Sequence, residues 1–436
     1  MKKRTFSSHW GFVLACVGSA VGMANVWGFP FRMGTMGGGA FLIAYLFFVS
    51  LFALVALSAE YAIGRRTGTG TLGSYEYAWK KRGLHGPGKI IGWIPLLGSL
   101  CIALGYSVIV AYVLKALVQS LTGSLMIVDP EPWFNGFSLT PYSVPLYHAA
   151  ILVIVALSIS VGAKSIEKTN QVMMPLFFIL FCILAIRMFF LPGSKEGYAF
   201  MFQPRWEELK DPMIWIYAMG QAFFSLSVTG SGMIVYGAYL PKDEDVLKGA
   251  INTAIFDTIA ALVAALVIIP ACFGYGVDVG AGPGLLFVTL PTILQDIYLG
   301  RIFAIILFFA VVFGGISSLQ NMFEVVIESF HTKFPKISRK IWMIALPLLC
   351  FVIGINMEAI YQWGPWMDFV SIYIIPIGAL LGAITWFWIL PKDDLMDEIE
   401  TGGKPLGLWW HNLGRYLYVP LALILTCIAL FKGISF

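Results

Sequence analysis

The sequence predicts an all-α polytopic membrane protein: an inverted five-helix repeat plus one extra C-terminal helix, eleven transmembrane helices in all, with helices 1 and 6 unwound. Three observations carry this. Of 436 residues, 59% are hydrophobic and only 12% charged, where an average soluble domain carries about 25%. The apolar residues fall into runs of roughly 20, the length a helix needs to cross about 30 Å of hydrocarbon. Two of these runs, five spans apart, are interrupted near mid-depth by small and polar residues.

The composition excludes a soluble enzyme. A net charge of +4, spread over short loops, gives no basic stripe for nucleic acid. The six cysteines (Cys16, Cys101, Cys182, Cys272, Cys350 and Cys427) lie far apart inside apolar runs, so neither a disulfide framework nor a zinc site is implied. Gly83 to Lys89 spells G-x-x-x-x-G-K, but Ile90 stands where a P-loop requires Ser or Thr. The five histidines are scattered and no nucleophile motif is present, so the chain does not read as an enzyme.

The spans run over about 10 to 31, 39 to 63, 90 to 122, 144 to 162 and 169 to 191, then 213 to 240, 247 to 274, 301 to 331, 340 to 355 and 366 to 390, with a last at 409 to 432. The first begins after Lys2-Lys3-Arg4 and continues past Gly18 to Pro30, beyond the apolar core of a secretory signal. Residues 10–191 pair as the first repeat with 213–390 as its inverted partner, leaving 409–432 as an additional helix. Nineteen of the 28 Lys and Arg fall on one set of loops and ends. The positive-inside rule then places the N-terminus in the cytoplasm of a cell whose plasma or inner membrane holds the chain, and an odd span count puts the C-terminus outside. The loop at 275 to 300 reads equally as a folded outer lid or a flexible linker. The acidic stretch Asp393, Asp394, Asp397, Glu398, Glu400 reads as a solvated cytoplasmic linker.

Span 1 contains Gly18-Ser-Ala-Val-Gly22-Met-Ala-Asn25-Val-Trp-Gly28-Phe-Pro30, and span 6 contains Ser225-Leu-Ser227-Val-Thr229-Gly230-Ser231-Gly232. Carbonyls freed by such breaks are tolerated in a membrane only where protein or a wet cavity satisfies them. Interrupted helices in corresponding positions of two halves point to a binding site at their interface.

At these residues the chain resembles the bacterial, eleven-span branch of the neurotransmitter:sodium symporter family, which includes the leucine transporter. The span 1 motif, Gly37-Gly-Gly-Ala-Phe41, Glu60 with Gly64-Arg65, Gly220-Gln-x-Phe-Phe-Ser-Leu-Ser227, and the paired serines after Gly314-Gly315 match in order and spacing. The resemblance implies sodium-coupled uptake of a neutral amino acid, hydrophobic or small, by alternating access through a lipid bilayer. A transport-silent amino-acid receptor or channel on the same fold is the alternative.

By that resemblance two sodium ions are held. The first would take Ala20, Asn25, Ser225 and a residue of span 7, usually Asn, at which counting back from Pro270 places Asp257, with Phe256 and Asn252 as the alternatives. An acid inside a span costs about 2.5–3.5 kcal/mol and is functional by default. With Ala260 and Ala261 nearby and no second carboxylate, Asp257 is expected to supply the negative charge, making chloride unnecessary. The second site would take Gly18, Val21, Gly314, Ser317 and Ser318, although a Ser-Ser pair taken alone bonds to the preceding turn. The substrate carboxylate would meet Met23, Ala24 and Tyr106. Gly22, where monoamine transporters carry an aspartate, fits an amino-acid zwitterion. Ser19, Ile102, Phe224, Ser225, Ser227, Ser318 and Met322 complete the pocket. Glu60 would bond the unwound part of span 1. Arg32 and Asp368 would close the outer gate, and Arg4 would serve at the inner end, with Glu328 as a weak acidic partner.

Overall fold

A computed structural model describes residues 5–280 and 282–435. Helices α1 (His9–Ala20) and α2 (Ala24–Thr35) form one pair, bent by 59°. The long α3 (Gly39–Thr67) and α5 (His85–Thr122) flank a short α4 (Thr71–Lys80). Then follow α6 (Pro130–Ser138), α7 (Pro145–Ser158), α8 (Ala163–Phe189) and α9 (Ser194–Phe202). The second half opens with α10 (Pro212–Ser225) and α11 (Ile234–Ala238), continues through α12 (Val246–Tyr275) and α13 (Leu285–Asp296), and reaches α14 (Gly300–Lys333). It closes with α15 (Arg339–Met357), α16 (Ile360–Ile389), α17 (Lys392–Glu400) and α18 (Leu408–Lys432).

Among the described residues, eight helices are long and apolar enough to cross a membrane, and the bent α1–α2 pair makes a ninth. The eleven expected spans are therefore not all uninterrupted helices of spanning length. The fourth, α7, has 14 residues, short of the roughly 20 that cross hydrocarbon. The sixth is divided between α10 and α11.

Local sequence sets the boundaries. Ser8, Asp211 and Asp245 cap α1, α10 and α12, each side chain accepting from an amide of the first turn. Backbone contact between α3 and α11 depends on Gly64, where a Cβ would lie 1.9 Å from the Ile234 carbonyl. Small residues at helix crossings do this in membranes, where tight packing must replace the hydrophobic effect. The loop at 275 to 300 is folded: α13 lies within it, and Gln295 Nε2 donates to the carbonyls of Leu125 at 2.7 Å and Val128 at 2.8 Å. This favours the lid over the linker.

The acidic stretch is not a solvated linker. It forms α17, whose Leu395, Met396, Glu398 and Ile399 are buried. The Arg65 guanidinium donates to Glu398 Oε1 at 2.6 Å, to the Glu398 carbonyl at 2.6 Å and to the Thr401 carbonyl at 2.7 Å. Lys242 adds a second cation 2.7 Å from the same carboxylate. The helix thus ties the end of α3 to the loop before α12. Arg66 and Lys81 hold Asp394 beside it at 2.7 and 3.2 Å.

Candidate functional site

The two breaks face each other at the centre. After Ala20 the chain leaves the helix at Val21, whose backbone is extended (φ −72°, ψ 114°), and Asn25 turns its amide oxygen back to accept from Gly22 N at 3.0 Å. In span 6 the helix stops at Ser225, and both Ser227 (φ 53°) and Gly230 (φ 77°) adopt left-handed backbone before α11 resumes. For a serine that conformation costs about 1–2 kcal/mol. Glu60 holds the turn, its two carboxylate oxygens accepting from Gly230 N at 2.9 Å and Met233 N at 3.0 Å. The expected partner of Glu60 was span 1; these bonds go to span 6, because the amides freed there lie at the start of α11 and favour an anion.

The structure brings Asn25, Ser225 and Asp257 together. Asn25 Nδ2 lies 2.7 Å from Asp257 Oδ1 and 3.3 Å from Ser225 Oγ, and Ser225 Oγ donates to Asp257 Oδ2 at 2.6 Å. Tyr45 approaches the same oxygen at 3.5 Å. All three partners of the carboxylate are neutral, and Asp257 is fully buried. The Asp257 carboxylate and the Ser225 hydroxyl, with the Asn25 amide beside them, are hard donor groups of the kind that suit a small cation.

The second expected group also converges. Ser318 Oγ donates to the Val21 carbonyl at 3.1 Å and Ser317 Oγ to the Gly314 carbonyl at 3.0 Å. A Cβ on Gly314 would sit 3.6 Å from the Val21 carbonyl, and one on Gly18 would sit 3.1 Å from the Ser317 Cβ. Helices α1 and α14 therefore meet here over the buried Val21 and Gly314 carbonyls. Asn170 of α8, not anticipated from the sequence, reaches the same place: its amide oxygen stands where a Cβ on Gly18 would go.

Between these groups lies a cavity of about 40 Å³. Ser19, Gly22, Ala24, Ile102, Tyr106, Phe224, Ser227, Ser318 and Met322 line it, with Ala20. Met23 and Ser225 stand behind the wall; the Met23 amide donates to Tyr106 Oη at 2.9 Å. Sequence reasoning missed Ser99, Thr229, Gly232 and Asn321, which also line it. A polar residue at the depth of the Ser317-Ser318 pair was the available signal for Asn321.

A larger cavity of about 310 Å³ lies beyond, sharing Ala24, Tyr106 and Phe224 with the small one. Arg32 and Asp368 both line it, yet they do not form the expected gate pair here. The Arg32 guanidinium donates to the Ser435 carbonyl at 2.7 Å and lies 4.5 Å from the Tyr217 ring centre. The carbonyl and the ring face together draw the cation from the carboxylate.

The N-terminal face is sealed. Phe6 is buried against Phe12, Tyr236 and Tyr239, and its amide donates to the Tyr239 carbonyl at 3.0 Å. Ser7 N and Oγ donate to Glu167 at 2.8 and 2.6 Å. Beside them Tyr239 donates to Glu324, which also pairs with Arg339. Arg4 lies outside the described residues. Glu328 accepts from Gly70 N at 2.5 Å and Thr332 Oγ1 at 2.8 Å.

Two broken helices around a central pocket, with hard-oxygen groups at its edge, are the arrangement of a membrane carrier for a solute and a cation. The family model for the sodium:neurotransmitter symporter family matches residues 3–138 and 137–434. An uncharacterized sodium-dependent transporter of Bacillus subtilis (strain 168) is 32% identical over 99% of this chain and 98% of its own length. A sodium-dependent nutrient amino acid transporter 1 of Drosophila pseudoobscura pseudoobscura is 24% identical over 98% and 75%. The crystal structure of MhsT in complex with L-phenylalanine matches with a TM-score of 0.87 and 32% identity, covering 98% of this chain and 99% of that one. The chain belongs to the sodium:neurotransmitter symporter family, whose members matched here are sodium-dependent transporters and not enzymes.

Proposed function

We propose that this chain is a sodium-coupled symporter that takes up a neutral amino acid by alternating access, without a need for chloride. The observation that carries this reading is the Asn25–Ser225–Asp257 cluster, a buried carboxylate whose partners are all neutral. A sodium ion among these oxygens and the Ala20 carbonyl would be balanced by Asp257 itself, leaving no uncompensated charge for chloride to offset. A second sodium ion would lie among Gly18, Val21, Gly314, Ser317 and Ser318. The amino-acid carboxylate would approach the amides around Met23 and Ala24, with Tyr106 beside it.

The two halves, 10–191 and 213–390, would rock against each other, with 409–432 outside the repeat. The N-terminus would be cytoplasmic and the C-terminus extracellular or periplasmic. In that orientation the sealed face is the inner one and the larger cavity is the outer vestibule. Arg32 and Asp368 would close it once Arg32 leaves Ser435. Each sodium ion entering down 100 mV supplies about 2.3 kcal/mol. Two ions would therefore drive roughly thousandfold accumulation without a concentration gradient.

Relatives named for amino-acid transport and the phenylalanine complex of MhsT support an amino acid, hydrophobic or small. Counterflow in proteoliposomes tests the reading. Liposomes preloaded with an unlabelled amino acid are expected to exchange it for external label only in sodium. Sodium-dependent binding with no exchange would instead fit a transport-silent receptor.

A further inference from the structure

The pocket is small and carries an unspent hydroxyl, and these two facts choose between a hydrophobic and a small substrate. A water occupies about 10–15 Å³ of cavity measured as the space open to its centre, and has a liquid volume of about 30 Å³. A cavity of about 40 Å³ thus holds the equivalent of about three waters, or a solute of roughly 90 Å³. The ammonium, Cα and carboxylate common to all amino acids use most of that room. One or two further heavy atoms remain for a side chain on the near side of Ala24, Tyr106 and Phe224, the residues shared with the larger cavity.

The walls are fastened rather than soft. Tyr106 Oη is held by Met23 N, and Ser318 Oγ by the Val21 carbonyl. A Cβ on Gly22 would lie 2.3 Å from Tyr106 Oη, and one on Gly232 would lie 2.6 Å from the Ser227 carbonyl. On the far wall Ser99 Oγ and Ser231 Oγ are 2.6 Å apart, with Ser231 also bonded to the Pro95 carbonyl at 3.0 Å. These bonds must break before the pocket widens, and each broken one leaves a buried polar atom unpaired.

The lining is polar where a side chain would end. Thr229 and Asn321 already have protein partners, at Ser231 and the Gly232 carbonyl. Ser19 differs. It is 4% exposed, lines the cavity, and its Oγ has no hydrogen-bond partner. A buried hydroxyl left unpaired is unfavourable, and one that lines a ligand cavity gains its partner when a ligand brings one.

We infer that the site takes a small neutral amino acid of the alanine and serine class, with Ser19 Oγ bonding the substrate hydroxyl when there is one. This rests on the amino-acid reading of the site given above. It separates the chain from MhsT, whose crystal structure holds L-phenylalanine.

The test is binding of glycine, alanine, serine, leucine and phenylalanine to the purified full chain in sodium, by calorimetry. Serine and alanine are expected to bind at least tenfold tighter than leucine and phenylalanine. Ser19→Ala should lower the preference for serine over alanine about tenfold, a change of ratio that a merely structural role would not produce. Ile102→Ala, which enlarges the pocket, should admit leucine. Leucine or phenylalanine binding as tightly as alanine to the unaltered chain would overturn the size limit while leaving amino-acid transport intact. Equal weakening of serine and alanine by Ser19→Ala would overturn the role of the hydroxyl. No binding by any of the five would overturn the amino-acid reading itself.

Discussion

Glu60 and Met233, 173 residues apart, are joined by a hydrogen bond of 3.0 Å from the Met233 amide to the Glu60 carboxylate. The other oxygen accepts from Gly230 at 2.9 Å. One side chain of α3 therefore fixes the second half of the irregular segment that lines the pocket, and that segment needs an outside acceptor because its own backbone no longer supplies one.

Glu60→Gln should be severe despite its near-identical volume. The amide retains one acceptor oxygen and presents an NH₂ group to the other backbone amide, so one charge-assisted bond is lost and a donor faces a donor. A loss of about 1.5–3 kcal/mol in substrate binding is expected, roughly tenfold or more, in sodium-dependent equilibrium binding. Binding unchanged in Glu60→Gln would show that the turn holds itself.

Arg65 and Glu398 are each 1% exposed at the side chain. Removing one charge leaves the other buried. Glu398→Gln is expected to lose about 3–5 kcal/mol of stability. The double variant Arg65→Met/Glu398→Leu should be milder than Glu398→Gln alone, since no buried charge remains at that pair. Unfolding of detergent-solubilised protein reads both values, and a double variant worse than the single would contradict the pairing.

Asp394 gives α17 a pH dependence. Burial alone would raise its pKa, but hydrogen bonds from Arg66, Lys81 and Tyr77 outweigh it and hold the carboxyl below its usual range. A depressed carboxylate contributes stability above its unfolded pKa of about 3.9, and loses it as pH falls through the lower folded value. The group is near the surface, so the contribution is at most about 1 kcal/mol. The difference in melting temperature between the unaltered chain and Asp394→Asn should be constant from pH 7 to pH 5 and shrink as pH falls below about 3.9 through the lower folded value. A difference that persisted at acid pH would mean the carboxylate charge is not what the latch uses.

The fold was legible because its signals are local. Run length marks the membrane helices, and small residues with Asn25 and Pro30 mark the break in span 1. Asp257 stood out as an acid inside an apolar run, and the structure places it beside Asn25 and Ser225. Glu324 carried the same signal, but only its placement beside Tyr239 and Arg339 separates a structural acid from a binding one. Partners remote in sequence were not legible. Glu398 sits among four other acids and reads as solvated until Arg65, 333 residues away, is placed on it. Arg32 likewise reads as a gate cation, and nothing local places the Ser435 carbonyl within its reach.

On the function proposed above, Asp257 supplies the fixed negative charge at the first sodium site. The most direct measurement of that role is sodium-driven amino-acid uptake into proteoliposomes by the unaltered chain and by Asp257→Asn, with chloride and then with gluconate as the only anion. The unaltered chain should transport equally in both anions, and Asp257→Asn in gluconate should fall to background, at least tenfold lower. Uptake by the unaltered chain that stops in gluconate and returns with chloride would contradict the account.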